Sequence, residues 1–396
     1  MQRPPPAADS PLRPVDPPPG GGSFSPLAWG MYLGMSWTWV IGMFLPVLLV
    51  RDYGQLAWWI FAVPNCIGAA AMGWALRTAE DSSAYVRRHP AACRLFSLVT
   101  IAFHLFFAVW MLPGLVGPAG WVVAVAAVQL AFTPVLKRTA AAAAVGVFAV
   151  SVVAASVMAY SGALTVPAMK AFSAGDLAGL SLVCLLGFFC SPYLDLTFHR
   201  ARQSTSPAGG RLAFGAGFCL FFAAMIVLTL LYASRFTTLP AAAAWAMLVH
   251  MGLQICFTVN VHAATLADDT ADSAATAEGG SGRTLLALAL AIGLAAGTVG
   301  RLSPDVTSIG LTPGEILYRC FMAFYGLIAP AYVLVSLSRR RGRWAWVAVI
   351  AGIAAPAYWI AFVHRQMAIA LIGGAVVLAG AALSFALRRR ESPVTV

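Results

Sequence analysis

The sequence predicts an all-α protein: a polytopic bundle of about 12 transmembrane helices. Hydrophobic residues make up 60% of the 396 residues and charged residues only 10%. A soluble domain of this length could not hide so much apolar surface in its core. A bilayer is crossed by roughly 20 consecutive apolar residues. Stretches of that length follow one another from Trp29 to Leu387.

The position of each helix follows from the same requirement for roughly 20 apolar residues. The predicted helices cover residues 28–50, 55–76, 93–113, 118–136, 140–162, 177–197, 212–233, 241–266, 284–301, 313–337, 344–363 and 366–387.

The predicted bundle covers residues 28–387, with a polar tail at each end and one polar loop within it. Residues 1–27 are rich in Pro, Gly and Ser and predict a disordered cytoplasmic tail. Residues 267–283 contain four acidic side chains among small residues and predict a flexible cytoplasmic loop. Residues 388–396 form a short cytoplasmic C-terminal tail.

The distribution of basic residues predicts the orientation. If the N-terminus is cytoplasmic, 19 of the 25 Lys and Arg residues lie on the cytoplasmic side and 6 outside. Both termini are then cytoplasmic. The abundance of Ala and of Arg over Lys is typical of a bacterium with a GC-rich genome, so we expect a bacterial inner membrane.

Several classes of partner are disfavoured. The net charge of +11 comes from basic residues in the predicted cytoplasmic loops, where it faces anionic lipid. Nucleic-acid binding is not expected, because the sequence has no basic helix interleaved with exposed aromatic residues. The seven cysteines form no C-x-x-C pair, and the acidic loop matches no calcium motif, so neither a disulfide framework nor a metal site is expected. The expected partners are the lipid bilayer and a small-molecule solute.

Asp195 is the most informative acidic residue. It lies near the cytoplasmic end of the sixth helix, three residues after Pro192, which should kink or break that helix and free backbone carbonyls. An ionisable group within a membrane costs about 2.5–3.5 kcal/mol on insertion scales, so it is a functional candidate. Two interpretations remain open: an anchor paired with His199 or Arg200, or a site of ion or proton coupling.

Other polar residues lie within predicted helices. A structural role in hydrogen bonding between helices competes with solute binding for each of them. As with Pro192 and Asp195, a helix-breaking residue, Pro64, stands close to a polar residue, Asn65. The candidates for substrate binding are Ser36, Thr38, Asn65, His104 and Asn260.

Glu315 and Arg319 stand four residues apart near the outer end of the tenth helix. This order favours an ion pair within the helix. The alternative is an outer vestibule that attracts anions, shared with Arg301 and Asp305.

The first and sixth helices run in opposite directions, and both carry helix-breaking residues: Gly34, Gly42 and Pro46 in the first, Gly187 and Pro192 in the sixth. Two broken helices at corresponding positions are typical of an inverted repeat of five plus five helices. Helices eleven and twelve would then be additions.

The segments from Ser36 to Pro46 and from Phe61 to Ala70 resemble the opening helices of sodium:solute symporter-like proteins, which belong to the amino acid–polyamine–cation superfamily with the leucine-transporter-type fold. The resemblance covers about the first 80 residues and the segment around Pro192. It implies ion coupling, for which Asp195, Pro192 and Thr258 are the candidates. The eighth helix offers only Thr258 and Thr265, not the paired Ser/Thr that such symporters use for sodium.

We therefore expect a secondary, ion-coupled transporter of a small solute that works by alternating access, with Na⁺ or H⁺ as coupling ion and no cofactor. Alternatives are a non-transporting membrane sensor or scaffold with the same fold, or a membrane haem protein with His104 and His250 as ligands. An enzyme is less favoured, because neither G-x-S-x-G nor H-E-x-x-H occurs and no catalytic residues can be assigned.

Overall fold

The structure, a computed structural model, describes residues 24–170, 172–273, 279–338 and 342–391. Residues 1–23 of the predicted N-terminal tail, residues 274–278 of the predicted acidic loop, and the last five residues of the chain lie outside the described residues. The helices are α1 Pro26–Trp37, α2 Val40–Tyr53, α3 Gln55–Ala75, α4 Ala79–Arg88, α5 Pro90–Trp110, α6 Leu112–Val116, α7 Ala119–Phe132, α8 Ala140–Tyr160, α9 Ala174–Cys190, α10 Leu196–Gln203, α11 Pro207–Ala216, α12 Ala223–Ala233, α13 Ala241–Ser273, α14 Gly279–Leu302, α15 Pro313–Ala323, α16 Ala329–Leu337, α17 Arg343–Phe362 and α18 Ala370–Glu391.

The all-α polytopic architecture is confirmed. Within the described residues, 10 helical segments are long and apolar enough to cross a membrane, and the bent pair α1 and α2 makes 11. The remaining predicted helix, 118–136, corresponds to α7, which has only 14 residues. At 1.5 Å per residue α7 is about 21 Å long, shorter than the roughly 30 Å hydrocarbon core. Helix α13 extends to Ser273 and so continues into the predicted acidic loop.

The outer surface of the bundle is apolar at mid-helix. Val122 on α7, Val153 on α8, Ile353 on α17 and Ile372 on α18 are each more than half exposed. Large continuous apolar surfaces are unfavourable in water, but they are well solvated by lipid. The side chains of α1, α2, α5, α10 and α13 are mostly buried, so these helices form the interior of the bundle.

Small residues let the helices approach closely at Gly30, Gly34, Gly293 and Gly297. An added Cβ at Gly293 would lie 2.5 Å from the carbonyl oxygen of Ala102 on α5. A Cβ at Gly34 would lie 3.0 Å from the carbonyl oxygen of Gly217. These contacts place α14 against α5, and α1 against the wide π-helical turn Gly217–Phe222.

Candidate functional site

The first membrane-spanning helix is broken at Thr38 and Trp39, where α1 and α2 meet at 55°. Thr38 ends α1 by donating its hydroxyl to the carbonyl of Gly34 at 2.7 Å. Trp39 then takes an extended conformation and begins α2. The break lies between the residues that the sequence singled out, Gly34 and Gly42, and not at any of them.

Pro46 lies inside α2 without ending it. A proline cannot donate to the carbonyl four residues earlier, which here belongs to Gly42. That carbonyl accepts a hydrogen bond from the hydroxyl of Thr229 on α12 at 2.9 Å instead. A side chain from a neighbouring helix thus replaces the missing backbone donor, and the helix continues.

The predicted break near Pro192 is confirmed. Helix α9 ends at Cys190, a 3₁₀ turn covers Ser191–Leu194, and Asp195 is extended before α10 begins at Leu196. Asp195 is the N-cap of α10: its Oδ1 accepts from the backbone N–H of Thr197 at 2.8 Å and from the Thr197 hydroxyl at 2.7 Å. The hydroxyl oxygen of Ser36 on α1 lies 3.3 Å from that of Thr197, so the two broken helices touch at their breaks.

A cavity lies beside these two breaks. Helices α2, α3, α9 and α15 line it, together with Trp37, Trp39 and Ser191 at the breaks and Phe362 of α17. Its volume of about 50 Å³ leaves room for a few water molecules. Most of the side chains that line it are apolar.

Asn65 supplies a polar group to this cavity. Its Oδ1 accepts from the indole N–H of Trp37 at 2.7 Å. Because the indole can only donate, the amide oxygen must face it, and the two N–H donors of Asn65 point elsewhere. No partner for this amide nitrogen is seen among the described residues, so it can donate to a bound molecule.

The opposite wall contains a π-helical turn, Phe324–Ile328, between α15 and α16. A widened turn leaves backbone carbonyls without their usual partners. The Ser191 hydroxyl donates to the carbonyl of Tyr325 at 3.3 Å, and the Tyr358 hydroxyl donates to that of Gly326 at 2.6 Å. The turn therefore joins the sixth-helix break to α17.

Trp39 separates the cavity from two buried histidines. One part of its ring lines the cavity, and its N–H donates to the carbonyl of Ser36. Its ring centroid is 6.2 Å from that of His104 and 5.8 Å from that of His262, both edge-to-face. His104 Nδ1 lies 2.7 Å from the carbonyl oxygen of Thr100, and its Nε2 has no partner.

Behind Trp39, Oδ2 of Asp195 faces Nε2 of His262 on α13 at 4.0 Å. Both side chains are fully buried, and neither of these two atoms has a hydrogen-bond partner in the part of the chain that the structure describes. His262 Nδ1 is 3.0 Å from the hydroxyl of Ser97 on α5.

The expected pairing of Asp195 with His199 or Arg200 is not found. Because Asp195 caps the helix instead of lying within it, the i,i+4 relation to His199 does not bring the two side chains together. The Ser82 hydroxyl donates to Nδ1 of His199, and Nε2 donates to the carbonyl of Tyr193. Burial lowers the pKa of His199 to about 4, so its imidazole is neutral. Arg200 lies 3.8 Å from Asp268.

Most of the other candidate residues do not line the cavity. Of the five substrate-binding candidates, only Asn65 lines the cavity. Ser36 donates to the carbonyl of Leu33, and Thr38 donates to that of Gly34. Asn260 donates to the carbonyl of Leu130 on α7 and accepts from the backbone N–H of Leu136, which follows α7. Thr258 lies one turn before His262 on α13 and its hydroxyl has no partner. His250, the suggested second haem ligand, is 3.0 Å from Ser151 on α8.

Glu315 and Arg319 belong to a cluster of four charges beside the cavity. Arg319 contacts Glu315 at 2.7 Å and Asp52 at 2.5 Å, and it donates to the carbonyl of Phe362. Arg51 holds both carboxylate oxygens of Glu315. The two cations and two anions balance one another, and Lys170 adds a third cation by donating from Nζ to the carbonyl of Arg51 at 2.9 Å. The cluster lies next to Leu49 and Phe362, which line the cavity.

The sequence reasoning missed Trp39, and it missed Arg51 and Asp52. The signal for the last two was present, since two adjacent charges end an otherwise apolar helix. Nothing in the local sequence marks Trp39, whose role depends on neighbours from α5 and α13.

Comparison of the chain with protein-family models, with curated proteins and with solved structures found no match in any of the three. The apolar helices themselves define the class: an integral membrane protein that crosses the bilayer many times.

Proposed function

We propose that the protein is a secondary transporter that carries a small solute by alternating access, with the cavity between the two broken helices as its binding site. The observation that supports this is the meeting of both breaks, at Thr38–Trp39 and at Ser191–Asp195, beside one cavity. Discontinuous helices that meet near a cavity are a recurrent way to bind solutes and ions in transporters.

The residues that line the cavity indicate which kind of solute it would bind. Apolar walls favour an apolar body, and Asn65 offers a hydrogen-bond donor. The start of α2, at Val40, adds backbone N–H groups and the positive end of a helix dipole. A small molecule with one acceptor or anionic group and an apolar remainder fits this chemistry. The present volume is too small for most such solutes, so binding requires the cavity to widen.

The test begins with purified protein, which is screened for solutes that raise its unfolding temperature. Candidate solutes are then followed by uptake into proteoliposomes. Val183→Phe fills the cavity, and Val153→Phe is its matched control on the lipid-facing side of α8. We expect uptake to fall about tenfold or more in Val183→Phe, equivalent to about 1.4 kcal/mol of lost binding, and to be unchanged in Val153→Phe.

Asn65→Leu should weaken binding of solutes with an acceptor group more than binding of apolar analogues. A screen in which no solute accumulates, or uptake that Val183→Phe leaves intact, would rule the proposal out.

A further inference from the structure

Two buried polar atoms, Oδ2 of Asp195 and Nε2 of His262, face each other 4.0 Å apart, and neither has a hydrogen-bond partner among the described residues. The separation exceeds the roughly 3.2 Å limit of an N–H···O bond. Unpartnered buried polar atoms are rare and call for an explanation. Here two of them, from α10 and α13, point at one another.

The remaining bonds hold the pair in this orientation. Thr197 occupies Oδ1 of Asp195 with two hydrogen bonds, which leaves Oδ2 free. Ser97 lies at Nδ1 of His262, which leaves Nε2 free. A hydroxyl can donate or accept, so Ser97 tolerates either protonation state of the imidazole.

The charge of the pair is uncompensated by other residues. Among the ion pairs of the described residues, Asp195 has no cationic neighbour except His262. With a neutral imidazole the carboxylate is a lone buried anion, which is costly in a membrane. The addition of one proton makes the pair neutral.

We propose that Asp195 and His262 form a proton-binding site, and that this proton is the coupling ion of the transport cycle. On binding, an O–H bond forms at Oδ2 of Asp195 and points toward Nε2 of His262. On release, the bond's electron pair stays on the carboxylate. The pair can bind a proton whether or not the protein transports a solute. The claim that this proton drives transport rests on the proposed function.

A proton fits these groups better than a metal cation. Hard cations need several oxygen ligands, yet one oxygen of Asp195 is occupied and the other faces a nitrogen. Within the part of the chain that the structure describes, no group of three or more metal-binding side chains is found.

Other titratable groups surround the pair. His104 from α5 and Tyr325 from the π-helical turn lie within electrostatic range of His262 and Asp195 respectively. Tyr32 from α1 lies in the range of Asp195, Arg200 and Asp268, and its hydroxyl is unpartnered. On the α4 side, Tyr85 stacks on His199. His104 is, among the described residues, the alternative proton acceptor, because its Nε2 has no partner there and it lies within electrostatic range of His262.

A polar stripe on α13 leads to this site. His250, Gln254, Thr258 and His262 are buried and successive at intervals of four residues, so each neighbours the next on the helix surface. Each has one side-chain atom that finds no hydrogen-bond partner among the described residues. The stripe extends over about 18 Å of helix. Its unused hydrogen-bonding atoms can hold the waters along which a proton moves.

The experiment measures the proton directly. Infrared difference spectra of the full-length protein are recorded across pH in detergent, with no solute present. A protonated carboxyl group gives its own band, which imidazole groups such as His104 do not. We expect one such buried carboxyl band in the wild type and its complete loss in Asp195→Asn. The surface control Asp268→Asn should keep the band.

His262→Gln provides the second measurement and keeps the test usable if Asp195→Asn fails to fold. Loss of the imidazole changes the group that Oδ2 of Asp195 faces, so the carboxyl band should shift in His262→Gln. The band should not shift in His364→Gln, at an exposed histidine. A wild type without a titrating carboxyl band, or a band unchanged in both Asp195→Asn and His262→Gln, overturns the proposal.

The two proposals can fail separately. A titrating Asp195 band in a protein that transports nothing supports the proton site and refutes the transporter. Solute uptake that is sensitive to Val183→Phe, but is as dependent on a pH gradient in Asp195→Asn as in the wild type, refutes the coupling role alone.

Discussion

Arg319 of α15 forms an ion pair with Asp52 at the end of α2, with 2.5 Å between Nη2 and Oδ2. Both side chains are almost fully buried, and Glu315 shares the guanidinium. The pair therefore ties the second half of the broken first helix to the helix that carries the π turn. Any widening of the cavity on this side must separate these groups.

The first prediction concerns this closure. Removing one partner of a buried ion pair costs about 3–5 kcal/mol; because Glu315 still contacts Arg319, we expect about 1–2 kcal/mol for Asp52→Asn. The closed state should lose that stability relative to an open one. A cysteine at Leu49, which lines the cavity, should then react about tenfold faster with a membrane-impermeant thiol reagent.

The labelling is done with the exposed Cys219 and Cys320 replaced by alanine. Asp305→Asn, at an exposed carboxylate in the loop before α15, is the matched control and should leave the rate unchanged. Equal rates in Asp52→Asn and wild type would show that the ion pair does not hold the cavity closed.

The second prediction tests how α2 tolerates Pro46. Thr229→Val leaves the carbonyl of Gly42 without its donor, which should lower the free energy of unfolding by about 1–3 kcal/mol. Pro46→Ala restores a backbone N–H that can reach the same carbonyl. The cost of Thr229→Val should therefore be much smaller in the Pro46→Ala background.

Unfolding in a denaturing detergent, measured for both single variants and the double variant, gives the coupling between the two sites. Additive effects would mean that Thr229 does not replace the backbone donor.

The third prediction concerns close packing of α14 on α5. Gly293→Ala places a Cβ 2.5 Å from the carbonyl oxygen of Ala102, so the helices must move apart. We expect a loss of about 1–3 kcal/mol in stability. Gly146→Ala on α8 meets nothing within 4 Å and should be neutral or stabilising, because alanine favours helix. A thermal melt of both variants in the same detergent makes the comparison; equal melting temperatures would contradict the packing.

The fourth prediction is the orientation in the membrane. In the same background without Cys219 and Cys320, Gly114→Cys between α5 and α7 should react with an impermeant reagent added outside intact cells. Ser204→Cys between α10 and α11 should react only after the membrane is permeabilised. The reverse pattern would invert the topology that the positive charges predict.

Local chemistry predicted a break in both helices, but it located only the second one. Pro192 lacks an amide proton, and its ring obstructs the preceding turn, whatever surrounds it. No such residue stands at Thr38–Trp39. There the break depends on the Thr38 hydroxyl and on the packing of Trp39 among His104, His262 and Tyr325, which come from distant parts of the chain. Pro46 shows the converse. The local sequence predicts an interruption at Pro46, but α2 continues because Thr229 of α12 supplies the missing hydrogen bond to the carbonyl of Gly42.

The candidate site divides in the same way. Asp195 and Asn65 could be selected from sequence because each is a polar residue beside a helix breaker. The regular spacing of His250, Gln254, Thr258 and His262 was also visible, although only the unpartnered atoms give it a meaning. That Asp195 faces His262 and not His199 could not be deduced, because it depends on Asp195 lying just outside the helix it caps.

The sequence by itself determined that this is a bundle of membrane-spanning helices, approximately where each begins and ends, and which polar residues lie at depth. Length and hydropathy suffice for this, since a bilayer admits only chain segments that satisfy their own backbone hydrogen bonds. The tertiary structure decided which helices are neighbours and which polar atoms meet. Lipid and the bundle interior are similarly apolar, so the hydrophobic pattern of a helix does not reveal which face contacts which partner.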